Sequence, residues 1–446
     1  MAFYNNATSM DSSYFDEFGS INRITLIHCR RFKRHPKSHM SVSSESSLQI
    51  ESLSSESAQH IASNEDILTE ILLHLPPKSL LRFQTVSKHW LSIISSPVFR
   101  RLHTRKNAKS SASTIGFFLC RNPIFNFLSL NEEDLSTMSM MNKRFSSIHN
   151  GKIFYHMNSC NGLFCLDFKF SNGKREFYVY NFTTGKHRLI PLPNTVDEPH
   201  LVKTMNLAFD PEKSEDYNVV CVWLSVSENQ LRFAVYSSGV GIWKHSTACY
   251  DCNEYGAVDL CCDYGVFLNG AVHWVSQTGP FLCFEVGNCS FRSMPTTPIP
   301  QGQWHRDIEY FGESGGHLQL IGQNSDQRTK VDILELEVDY SGWFIKYHVN
   351  LDFLPNLYPA VVNQEVNLPE DYAYSNVFST ICFLDDEEDK ARLFLSLPGK
   401  IILYNLGDGM IKELADVKPA SVRHFLDGAR YDGLDMYKHV ETLACV

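Results

Sequence analysis

The sequence predicts a small all-α module followed by an all-β domain, a β-propeller of six or seven blades. Three observations predict it. Apolar residues between Asn64 and Leu102 recur at helical spacing, short β-branched and aromatic segments follow one another beyond Ser113, and the turns between those segments recur at a near-constant interval. A chain of 446 residues with 43% hydrophobic and 12% aromatic content can bury a sizeable core in two to three domains.

Residues 1–58 are expected to be a disordered tail. Ten of the twenty residues from Ser38 to Ser57 are Ser, and so few large apolar groups cannot offset the chain entropy of ordering. The basic run from Arg30 to Lys37 reads either as a nuclear import signal or as a solvated stretch of that tail.

The helical module is assigned to residues 59–104. In NEDILTEILLHL, apolar residues fall at Ile67, Leu68, Ile71, Leu72 and Leu75, one face of a helix, which Pro76-Pro77 ends. Ser63 and Asp66 form a candidate capping box. A second helix runs through KSLLRFQTV, Ser87 is placed to cap a third carrying Trp90, Leu91, Ile93 and Ile94, and Ser96-Pro97 starts a fourth. So small a module buries little surface, yet its helices are apolar on more than one side, so a partner is expected to cover the excess.

After a linker at residues 105–112, the all-β domain occupies residues 113–446. GFFLC, FNFLSL, FYVYNF, YNVVCVWLSV, LRFAVYSS, FLCFEV, HLQLIG, VDILELEV, ARLFLSL and KIILYNL read as strands. Turn glycines at Gly185, Gly239, Gly287, Gly342 and Gly407 are 54, 48, 55 and 65 residues apart, with a matching turn at Asn131. A second punctuation, Asn161-Gly162, Asn269-Gly270 and Gly315-Gly316, precedes three of those glycines as expected for successive hairpins in one sheet. A recurring four-stranded unit of about fifty residues has the length of a kelch-type propeller blade, and a two-sheet sandwich is the second choice. The C-terminal YKHVETLACV is expected to close the ring against a strand begun near Ser113.

Composition and motifs narrow the chemistry. Forty Lys plus Arg against fifty Asp plus Glu give a formal charge of -10, which argues against direct nucleic-acid binding. No run is long and apolar enough to span a membrane, and the first thirty residues lack a secretory apolar core. Thirteen scattered Cys read as thiols in a reducing compartment, cytosol or nucleus. Gly312-Glu313-Ser314-Gly315-Gly316 matches a nucleophile elbow, but a strand pattern follows where a helix is needed. Cys249, Cys252, Cys261 and Cys262 lack the spacing of two zinc knuckles, and His156, His273 and His317 stand singly in strands. The acidic run Asp385 to Asp389 reads as a solvated hairpin loop. No metal, no cofactor and no catalytic residue is expected.

The stretch NEDILTEILLHLPPKSLLRFQTVSKHWLSIISSPVFRRL resembles the F-box of plant proteins, departing from its pattern only at the start, where Ser63-Asn64 replaces a Leu-Pro pair. NSCNGLFCL, YNFTTGKHRLIPLP, AFDPEKSEDYNVV, VYSSGVGIWK, GVFLNGAVHW, YFGESGGHLQLIG and VDYSGWFIKYHV are similar, in order, to phrases of the plant F-box-associated propeller domain. The resemblance implies the substrate receptor of an SCF-type cullin-RING ubiquitin ligase: the F-box docks on a Skp-type adaptor, which bridges to the cullin-RING core, and the propeller holds the protein to be ubiquitinated. Leu68, Leu72, Leu75, Pro76, Leu80, Val86 and Trp90 match positions the pattern keeps apolar and are assigned jointly to module core and adaptor contact. For the substrate, the connection Gln301 to Phe311 offers Trp304, His305, Arg306, Tyr310 and Phe311, residue types that anchor interfaces, though such aromatics also pack between blades. The alternative function is a kelch-like propeller enzyme, or a small-molecule or glycan binder, regulated through its F-box.

Overall fold

The computed structural model describes residues 64–108, 114–121, 124–130, 135–149, 152–196, 201–252, 265–276, 281–297, 308–323, 329–361, 378–385, 391–397, 399–416 and 436–446. The tail, the turn at Asn131, Cys261, Cys262 and residues 386–390 of the acidic run lie outside them.

Four helices form the N-terminal module: α1 (Glu65–Leu73), α2 (Pro77–Phe83), α3 (Lys88–Ser95) and α4 (Pro97–Ala108). Proline has no N–H and disfavours helical geometry in the residue before it, so α1 stops short of Pro76, and Pro77 begins α2 with the φ a helix requires. Ser87 Oγ accepts from Trp90 N at 3.1 Å and Ser96 Oγ accepts from Phe99 N at 3.1 Å, so both caps fall where the sequence places them. Each contributes about 1 kcal/mol. Leu68, Leu72, Leu73, Leu80, Ile93, Ile94 and Phe99 bury against one another beneath the helices.

The remaining chain forms six antiparallel sheets among the described residues, one per blade. In chain order, β1 (Thr114–Arg121), β2 (Ile124–Ser129) and helix α5 (Leu135–His149) come first. Five four-stranded meanders follow: β3–β6 (residues 153–190), β7–β10 (202–251), β11–β14 (266–293), β15–β18 (308–350, then the short helix α6, Leu354–Leu357) and β19–β22 (379–416). The final strand β23 (Met436–Val440) returns to pair antiparallel with β1, completing a three-stranded blade of order β2-β1-β23. Six blades are therefore present, at the lower of the two expected numbers, and the C-terminal strand closes the ring.

The repeated turns have a common geometry. Gly185, Gly239, Gly287, Gly342 and Gly407 each lie between the third and fourth strands of a blade. Asn161-Gly162, Asn269-Gly270 and Gly315-Gly316 join the first and second strands with both residues at positive φ: 45° and 83°, 51° and 81°, 60° and 81°. That is the turn whose twist matches a tight hairpin. Gly162 is required twice over, since a Cβ there would also lie 2.5 Å from the Val440 carbonyl oxygen.

Helix α5 departs from the expectation of unbroken β structure beyond Ser113. It packs on β2, burying Met141, Phe145 and Ile148 against Phe154 and Phe168 of the neighbouring blade. Arg144 donates to the carbonyls of Phe182 and Thr183, tying the helix to that blade. The closing blade, with only three strands, thus gains a helical cover.

His439 stands in the closing strand opposite Gly116 and is fully buried among Phe118, Phe127 and Phe164, with ring centroids 5.4, 5.7 and 5.5 Å away. Neither ring nitrogen has a hydrogen-bond partner. Burial, reinforced by the Arg144 charge, pushes its pKa from 6.5 down to about 3, so the folded protein holds it neutral. The unfolded chain binds a proton there below about pH 6.5, and this component of stability is lost as pH falls from that value toward 3. Replacing His439 by Leu is expected to reduce the stability lost between pH 7 and pH 5 by about 2 kcal/mol. Urea unfolding of both proteins at the two pH values checks this, and identical pH dependence would refute it.

Candidate docking surfaces

On the helical module the structure separates residues that the sequence could assign only jointly. Leu68, Leu72 and Leu80 are buried and belong to the module core, whereas Pro76 and Val86 are exposed and Leu75 and Trp90 are half-buried. Five further apolar side chains face outward: Ile67, Ile71 and Leu91, at 46%, 47% and 45% exposure, and Val98 and Leu102 on α4. The signal for Ile67 and Ile71 lay in the paired pattern of α1. A stripe at i, i+1, i+4, i+5 is too wide for one seam, so one edge (Leu68, Leu72) turns in and the other (Ile67, Ile71) turns out.

The α1–α2 corner is held from below by α4. His103, buried, donates from Nε2 to the Leu75 carbonyl at 2.8 Å and stacks on Phe99 at 6.0 Å. Burial pushes its imidazole pKa down, so one neutral tautomer makes this bond. Lys106 Nζ reaches Glu70 Oε1 at 3.0 Å on the same helix as Leu68, and its hydrogen bond and charge hold that carboxyl below the usual range. Phe83 meets Trp90 edge-on at 5.4 Å, setting the angle between α2 and α3. The exposed apolar residues therefore sit on a fixed surface.

That surface is joined to the ring by the C-terminus. Beyond β23 the chain passes Asn181, whose Nδ2 donates to the carbonyls of Thr442 at 3.1 Å and Ala444 at 2.9 Å, and inserts Leu443 among Leu72, Leu80, Ile94 and Phe99. Arg101 of α4 adds an exposed ion pair to Glu215 at 3.3 Å. The module core is thus completed by a residue 375 positions after Leu68.

Strand alternation fixes which end of the ring faces the helices. In an antiparallel meander, the turns between strands one and two and between strands three and four share a rim, and the remaining connections share the other. Asn161, Asn269 and Gly316 from the first kind of turn, and Ser238 from the second, line clefts shared with α4. The other ends of the strands, including Ile308 at the start of β15, face the opposite rim.

Of the residues proposed for substrate contact, Trp304, His305 and Arg306 lie outside the described residues. Tyr310 and Phe311 do not belong to an irregular connection: both are on β15, buried, lining a central cavity of about 140 Å³. Burial raises the Tyr310 hydroxyl pKa well above its usual value, and that hydroxyl donates to the Phe383 carbonyl at 3.4 Å. A bulge between Ile308 and Tyr310 obscures the alternation there.

The other sequence candidates resolve into structure. Ser314 of the Gly312–Gly316 segment ends β15, a hairpin leads directly into β16, and its Oγ accepts from Asp385 N at 2.7 Å. His273 bonds the Val266 carbonyl at 3.1 Å and Tyr340 Oη at 2.8 Å, with burial pushing its pKa down to about 4. Asp385 corrects the reading of its run as solvated: its side chain is mostly buried and pairs with Lys346 Nζ at 2.7 Å, which also holds Glu335 at 2.7 Å. No group of three or more His, Cys, Asp or Glu able to hold a metal occurs among the described residues. No described helix is long and apolar enough to cross a membrane.

Leu443 is only 1% exposed, and truncation of a buried Leu costs about 2–5 kcal/mol. Leu443→Ala is expected to speed amide exchange throughout α1 and α3 while β3–β5 keep their protection. Exchange at wild-type rates in those helices would show that the module core does not need the C-terminus.

Comparison with known proteins agrees with both parts. The F-box domain model matches residues 64–102, and the F-box associated beta propeller domain model matches residues 116–419. The F-box protein At5g07610 of Arabidopsis thaliana is 31% identical, covering 82% of this chain and 88% of its own. The F-box protein At5g03970 and the F-box/kelch-repeat protein At3g23880, from the same plant, are each 24% identical, over 69% and 52% of this chain and 74% and 64% of their own. With the helical module and the six-bladed ring both matched, the chain belongs to the plant F-box proteins that carry an F-box-associated β-propeller.

Proposed function

We propose that this protein is the substrate receptor of an SCF-type cullin-RING ubiquitin ligase, working in the cytosol or nucleus. The observation that carries the reading is the outward apolar set Ile67, Ile71, Pro76, Val86 and Leu91 on a module whose own core is already filled. Exposed apolar surface on a rigid support is what a docking partner covers, and a Skp-type adaptor is the partner this family implies. Leu75 and Trp90 stand at the edge of that contact, while Leu68, Leu72 and Leu80 support it from beneath. The mechanism is proximity. The receptor contributes no reacting group; it holds a substrate lysine near a charged conjugating enzyme and so raises its effective concentration.

The substrate is assigned to the rim away from the helices, where it does not compete with the adaptor. Trp304, His305 and Arg306 precede, in sequence, Ile308, where β15 begins at that rim.

Changing Leu75 and Pro76 together to Ala removes two anchors, which costs some 3 to 6 kcal/mol, roughly a hundredfold to ten-thousandfold in affinity. Co-purification with the adaptor and cullin is expected to be abolished, with the ring melting as before. Ile71→Glu, at an exposed position that leaves the core intact, is expected to act in the same direction. Undiminished adaptor binding by both variants would remove the mechanism. Trp304→Ala is expected to reduce substrate capture, with the proteasome blocked, without lowering the melting temperature; lost stability would place Trp304 between blades instead.

A further inference from the structure

A cleft of about 340 Å³ lies where α4 meets the ring, and three arginines line it: Arg100 and Arg101 from the helix and Arg188 from β6. Several of its donors are left without acceptors. Arg100 Nε is buried with no hydrogen-bond partner, and Arg100 Nη1 meets only the Cys445 thiol, a weak acceptor, at 3.8 Å. Thr104 Oγ1 is buried without a partner, and Tyr217 Oη, on a residue 1% exposed, has no acceptor and lies beside the Arg188 guanidinium, a donor. Burial pushes that hydroxyl up to about 12, so it keeps its proton to donate. Arg188 uses one arm on the Ser238 carbonyl at 3.2 Å. Three carboxylates also line the cleft: Glu215 and Asp216, both exposed, with Glu215 engaged by Arg101, and the α-carboxylate of Val446.

Buried donors without acceptors are rare, because each forfeits its hydration, and three in one cleft that the lining carboxylates do not reach call for a further acceptor. Guanidinium forks match the paired oxygens of a phosphoryl group, and the volume admits that group with a small substituent. We propose that this cleft binds a phosphate oxyanion, either inorganic phosphate or the phosphoryl group of a small phosphomonoester. Bound there, it bridges Arg100 of the helix and Arg188 of the ring and stiffens the joint between them.

Phosphorus NMR of the full chain tests this, with inorganic phosphate and glucose 6-phosphate as separate probes. Line broadening is expected from at least one probe at millimolar concentration, and broadening by the ester alone would assign the site to a phosphomonoester. Arg100→Gln with Arg188→Gln is expected to weaken binding by about tenfold or more. Thr104→Val with Tyr217→Phe removes only two hydroxyls and is expected to weaken it several-fold, which keeps the site testable if the arginine variant does not fold. The melting temperature is expected to rise in phosphate above its value in chloride of equal ionic strength. Absence of broadening with both probes, broadening unchanged in the folded variants, or an equal rise in chloride would each overturn the site.

Discussion

The pairing of β23 with β1 is the constraint on which the molecule depends. Without it the ring has two unpaired sheet edges, and the residues beyond it have no fixed path to the helical module. The pairing joins residues 114–119 to residues 436–440, nearly the whole described length of the chain. Loop-closure entropy grows only logarithmically, so this separation costs little more than closing one blade would. Each meander forms from local hairpins, whereas the closing pairing is the most distant strand pairing in sequence among the described residues, and the module core waits for it to place Leu443. A small N-terminal module thereby borrows stability from the far end of the chain.

That dependence explains what is legible in the sequence. Hairpins are local, and their turns demand particular residues: Asn161-Gly162 and Asn269-Gly270 supply positive φ cheaply, so blade spacing can be read directly. Helix ends are legible for the same reason, through Pro76-Pro77, Ser87 and Ser96. Helix α5 is not, although Met141, Phe145 and Ile148 lie at helical spacing, because the stretch before them, LSTMSM, mixes Ser and Met without a clear apolar face. Tyr310 and Phe311 resemble part of a connection because a bulge breaks strict alternation.

What no local pattern carries is the partner a side chain meets across blades. Asp385 looks solvated by composition, yet Lys346 from the preceding blade encloses it with Glu335. A buried ion cluster of this kind adds modest net stability, but loss of one member strands the others, so it fixes how neighbouring blades meet. The division of α1 between core and surface has the same origin. Ile67 and Leu68 differ little as residues, and only the position of α4 and Leu443 beneath the helix decides which is covered.

The two rims differ through strand direction alone. Because strands alternate, the first and third turns of the blades emerge toward α4. Asn161-Gly162, Asn269-Gly270 and Gly315-Gly316 make three of them tight, whereas the β7–β8 turn spans Phe209 to Tyr217. The second turns leave from the other rim. The helical module occupies the rim of the first and third turns by virtue of the residues that close the ring, since Leu443 lies three positions past β23. On the reading proposed above, of a receptor that acts by proximity, that separation is the physical requirement: a substrate held at the far rim would not compete with an adaptor at the helices.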